Sequence, residues 1–169
     1  MTLRQFRKEF GDRAEPLDII WQHRLDHGQW IGRQELHEAC PRSRMEHLGG
    51  SIVRDARDGE RECYRLTFLG VLLTANGAAI ELLLVRYLEW LKGRRRTQAN
   101  LTSVSPADVT AGLSITPAET AVLWRVLEVA EWRAGPALEA VLAAPDLGAH
   151  VESRALDAYD PEIPIDEPS

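Results

Sequence analysis

Arginine is the residue type with most to offer chemically in this chain, and it is concentrated. Six arginines fall between positions 42 and 65: Arg42, Arg44, Arg54, Arg57, Arg61 and Arg65. A planar guanidinium pairs bidentately with phosphate or with a guanine edge, so such a cluster is a candidate nucleic-acid contact. The same stretch holds Glu46, Asp55, Asp58, Glu60 and Glu62, and alternating signs are also what a solvated hairpin carries. Histidine and cysteine offer a second chemistry. His23 and His27 are one helical turn apart and His37 stands three before Cys40, spacings at which two side chains can share a metal ion. A structural zinc site takes four ligands, and neither a second cysteine pair nor an HExxH segment is present. The histidines therefore read as helix-surface residues and Cys40 as core. No glycine-rich phosphate loop, nucleophile elbow or paired-carboxylate arrangement stands out. The expectation is a protein that is not an enzyme and holds no metal or cofactor.

The elements that would position these arginines follow from periodicity and punctuation. Thr2 is suited to cap a short helix with Leu3, Phe6 and Phe10 on one face, stopped by Gly11. Pro16 opens the next, with Leu17, Ile20, Trp21 and Leu25 at helical spacing and Gly28 as its end. Trp30-Ile31 is a brief extended pair. Gly32 leads into a helix with Leu36, Ala39 and Cys40 inward, ended by Pro41. A further helical piece is expected from Ser43 to Leu48, closed by Gly49-Gly50.

The period then changes to two. Ser51–Ala56 and Arg61–Thr67 read as strands joined across Asp58-Gly59, a strong hairpin signal because both turn positions of that type take positive φ. Thr67 caps a helix over FLGVLLT, with a break at Ala75-Asn76-Gly77 and a continuation to Gly93. That second part is apolar nearly all round, so one face packs on its own domain and the rest needs another cover. The C-terminal region or a second copy of the chain could supply it, and Leu84, Tyr87, Leu88 and Leu91 are the candidate dimer or domain interface.

The order helix, short strand, helix, helix, hairpin, helix over residues 15–92 resembles a winged helix-turn-helix. At the junction of wing and following helix, bacterial winged-helix repressors often read aromatic-x-Leu-Thr-x-x-Gly, which stands here as Tyr64, Leu66, Thr67 and Gly70. The resemblance implies a fold, mainly α with a small β-hairpin, and it does not imply one function, because winged helices bind DNA, RNA and proteins alike. In the DNA-binding mode the helix after the turn enters the major groove and the wing touches the backbone. The implied contacts are Arg42, Ser43, Arg44 and His47 from the first, and Arg54, Arg57 and Arg61 from the second. Dimerisation through the helix after the wing would match a palindromic site.

Charge divides the chain. Residues 1–100 hold 17 Lys and Arg against 14 Asp and Glu, whereas residues 101–169 hold 3 against 12. A polyanion would be tolerated by the first part and repelled by the second. The expected organisation is a winged-helix domain with its N-terminal helix at 1–93, a linker at 94–104, an acidic helical region at 105–158, and an acidic, proline-rich tail without regular structure at 159–169. Within the acidic region, Ser105-Pro106-Ala107-Asp108 and Thr116-Pro117-Ala118-Glu119 are two helix starts of one design, and Pro136–Ala144 is a third helix. The segment from Val109 to Leu127 superficially resembles a second helix-turn-helix, but in and around it only Arg125 and Arg133 are basic, against Asp108, Glu119, Glu128 and Glu131, so a helical cap or interaction surface is expected there. Trp124 and Trp132 read as core. With no apolar run long enough to span a bilayer, no signal-like N-terminus and two cysteines, the chain reads as cytoplasmic with reduced thiols. The leading expectation is a dimeric bacterial transcriptional regulator that binds duplex DNA; the alternative is a winged-helix adaptor that binds a protein partner and no DNA. Arginines gathered on one face would favour the first, interleaved signs the second.

Overall fold

The computed structural model describes residues 2–40, 50–53 and 56–157. The protein is mainly helical, with a small antiparallel hairpin sheet. It divides into two compact units, the first comprising residues 1–78 with 154–169 and the second residues 79–153. The division falls inside a helix, not at the linker expected from composition at 94–104.

In the first unit, α1 (Leu3–Phe10) begins with a capping box in which Thr2 and Gln5 satisfy each other's backbone N–H groups. It buries Leu3, Phe6 and Phe10. A short 3-10 turn leads into α2 (Glu15–His27), which ends on Gly28 in the left-handed region. Next comes α3 (Arg33–Ala39), which buries Leu36 and is followed by buried Cys40; Ala39, expected inward, is exposed. The helical piece expected at 43–48 lies outside the described residues.

The hairpin is built from β1 (Ile52–Val53), β2 (Arg57–Asp58), β3 (Arg61–Glu62) and β4 (Arg65–Leu66). Ile52 pairs with Leu66 and Val53 with Arg65; Arg57 pairs with Glu62 and Asp58 with Arg61. Three residues lie between Val53 and Arg57 but only two between Glu62 and Arg65, so the register shifts by one along the hairpin. The loop residues are Gly59 and Glu60, not Asp58 and Gly59 as expected. Positive φ is needed only at Gly59 (67°), the pattern of a turn with glycine first. The return strand also meets the extended pair after α2: Gly32 bridges Cys63, and the Tyr64 N–H donates to the Ile31 carbonyl at 2.9 Å.

Thr67 then does two jobs. Its hydroxyl donates to the Gly50 carbonyl (2.5 Å) and accepts from the Gly70 N–H (3.1 Å), capping α4 (Phe68–Leu72). Gly70 brings α4 against the strand backbone so closely that a Cβ there would collide with the Ser51 carbonyl. The Leu-Thr-x-x-Gly pattern thus has a packing reason. The Arg7 Nε donates to the Leu72 carbonyl (2.9 Å), and Asp18 accepts from the Ala75 N–H (2.7 Å), tying α1 and α2 to the end of α4.

The second unit is organised on α5 (Gly77–Thr97), of which it holds residues 79 onward. This helix runs past Gly93, its expected end. Glycine in a helix interior costs about 1 kcal/mol. Contacts after it offset that: Arg94 stacks over Trp90 at 5.0 Å, and the Arg95 Nη1 donates to both carboxylate oxygens of Glu139 at 2.6 and 2.7 Å. Three arginines in the last turn also suit the negative end of the helix dipole. Against α5 pack α6 (Pro106–Leu113), α7 (Pro117–Ala130) and α8 (Pro136–Ala143): Arg86 donates to the Leu113 carbonyl (2.8 Å), Tyr87 meets Trp124 edge-on, and Lys92 donates to the Ala144 carbonyl (3.1 Å). Both capping boxes read from the sequence are formed, at Ser105/Asp108 and Thr116/Glu119.

The second of these helices stops at Ala130, short of Trp132, with Glu131 left-handed at φ 61°. Left-handed backbone costs a non-glycine residue about 1–2 kcal/mol. The Trp132 N–H bonds back to the Leu127 carbonyl (2.9 Å) and its ring is fully buried, which offsets that strain. A further helix, α9 (Leu147–Leu156), was not expected from the sequence. Asp146 accepts from the Ala149 N–H at 3.0 Å at its start, and Leu147, Val151 and Ala155 are buried at four-residue spacing. Both signals were there to be read.

Candidate interaction surfaces

Two surfaces could do the work of recognition. The first is the hairpin. Of the seven arginine, serine and histidine contacts implied by the winged-helix resemblance, Arg42, Ser43, Arg44, His47 and Arg54 lie outside the described residues. Arg57 and Arg61 are described, and both face acids across the strands: Arg57 opposite Glu62 and Asp58 opposite Arg61. The Arg57 guanidinium reaches Glu62 at 3.9 Å, both side chains remaining more than half exposed. Arg61, though exposed, reaches back to the segment before α3. Its Nη2 donates to the Trp30 carbonyl at 2.6 Å and its head lies beside Gly32, so it fastens the hairpin to the segment between α2 and α3.

His23 and His37 make contacts that bridge neighbouring elements. His23 brings its Nδ1 to 3.0 Å from the Gln29 carbonyl and its Nε2 to 3.4 Å from Glu35, joining α2 to α3. The Tyr64 hydroxyl and His37 Nε2 are 2.9 Å apart. Cys40 and Cys63 are free and buried. Burial pushes both thiols up, and Asp58 adds to the effect at Cys63 while Arg61, Arg65 and Arg33 oppose it. Among the described residues no three His, Cys, Asp or Glu side chains come together as a metal site would require. No helix among them is long and apolar enough to cross a membrane.

Leu84, Tyr87, Leu88 and Leu91, the candidate interface, are all buried, and the contacts of Arg86, Tyr87 and Lys92 show α6, α7 and α8 of the second unit lying over this helix. Burial pushes the Tyr87 phenol up, with Arg95 and Arg133 opposing. Leu82 of α5, by contrast, is 68% exposed.

The second surface is a groove of about 760 Å³ between α6 and α7. Pro106, Ala107 and Ala111 line it from one helix and Pro117, Ala121 and Trp124 from the other. Trp124, expected as core, is only half-buried and faces this groove, unlike buried Trp132. Its polar side chains pair with one another: the hydroxyls of Thr110 and Thr120 are 2.7 Å apart, and Arg125 and Glu128 pair at 3.2 Å. Arg133 also binds Glu128, again at 3.2 Å. Sequence reasoning placed an interaction surface in this region but not the groove. The signal available was small residues one turn apart, Ala107 with Ala111 and Pro117 with Ala121, which leave space between two helices.

No protein-family model, curated protein or solved structure matches this chain.

Proposed function

We propose that the chain is a winged-helix protein that works as a protein-interaction adaptor and does not read DNA through its wing. The winged-helix reading is supported by the return strand, which meets both β1 and the residue pair after α2, and by the Thr67–Gly70 junction into the next helix. The adaptor reading is carried by one observation: each paired arginine of β2 and β3 stands opposite an acid. A phosphate backbone drawn to β2 and β3 would meet Asp58 and Glu62 beside Arg57 and Arg61, and binding at Arg57 would have to compete with its pair to Glu62.

The test is titration of the purified chain with mixed duplex DNA at two salt concentrations, with its mass measured in the same buffers. No salt-dependent binding is the expected result. Binding that falls steeply with salt would overturn the adaptor reading.

A second reading, a DNA-binding transcriptional regulator, is favoured by the exposure of Arg57 and its loose 3.9 Å pairing. On that reading Arg44→Ala weakens DNA binding, and unchanged affinity would remove the recognition-helix assignment. A two-fold dimer would use a surface other than buried Leu84, Tyr87, Leu88 and Leu91.

A further inference from the structure

We draw no further inference here: the strongest candidate, the apolar groove between α6 and α7 beside half-buried Trp124, carries charges of both signs, Arg125 and Arg133 on Glu128, and nothing in the structure shows what covers it.

Discussion

The β2–β3 hairpin and the α6–α7 pair both double the chain back on itself, and they treat their side chains in opposite ways. The hairpin is short and charged, and its charges cancel across the strands, with Arg61 reaching back to the Trp30 carbonyl as a fastener. The helix pair joins the polar side chains of its groove to one another and leaves apolar surface uncovered around Trp124. Exposed ion pairs contribute little and are screened by salt. Uncovered apolar area gains free energy from any partner that covers it. A surface rich in charge is therefore not automatically the one that binds.

That contrast can be broken or sharpened by substitution. The helix pair depends on α5 beneath it, so Leu88→Ala, at a fully buried position, should cost about 3 kcal/mol in urea unfolding; a loss under 1 kcal/mol would mean that the second unit is loosely packed. The hairpin depends on close backbone approach, and Gly70→Ala should cost about 2 kcal/mol as the added Cβ meets the Ser51 carbonyl. A neutral result would show that α4 can shift off the strand. Thr116→Ala removes the cap of α7 and should cost about 1 kcal/mol. Arg57→Glu sets two acids opposite each other on the hairpin, yet the site is exposed and the expected loss is only about 0.5 kcal/mol. A loss matching that of Gly70→Ala would make the ion pair far more important than its geometry allows.

The smallest effect is on pH dependence. Asp108 has a lowered carboxyl in the folded chain, so its contribution is complete above its ordinary value of 3.8 and is lost as pH falls through the lower folded value. Asp108→Asn should therefore make the acid limb of the stability profile slightly shallower, checked by urea midpoints across that range. An unchanged limb would mean that the Ser105 cap does not hold the carboxylate in solution.

Local chemistry was legible where one residue settles it. The caps at Thr2, Thr67, Ser105 and Thr116, the stop at Gly28 and the break before Gly77 could be read because a hydroxyl, a proline or a left-handed glycine acts within four residues of its own position. Misreadings arose where a distant contact outweighed a local preference. Gly93 does not stop α5 because Arg95 reaches Glu139, and Trp124, read as core, is only half-buried because α6 and α7 leave a groove beside it. The missed helix α9 is different, since its Asp146 start and four-residue apolar spacing were present in the sequence.

The sequence by itself determined that this is a mainly helical chain with one small hairpin, a charge boundary near residue 100 and an acidic capped-helix region. Those properties follow from propensity, periodicity and charge, which act over a few residues. Only the tertiary structure decided that Arg61 is consumed in fastening the hairpin, that Leu84, Tyr87, Leu88 and Leu91 are covered within the chain, and that Trp124 is left half-open while Trp132 is sealed. Burial is a property of what arrives from elsewhere in the chain. Two tryptophans eight residues apart on similar apolar spacing can thus meet opposite fates.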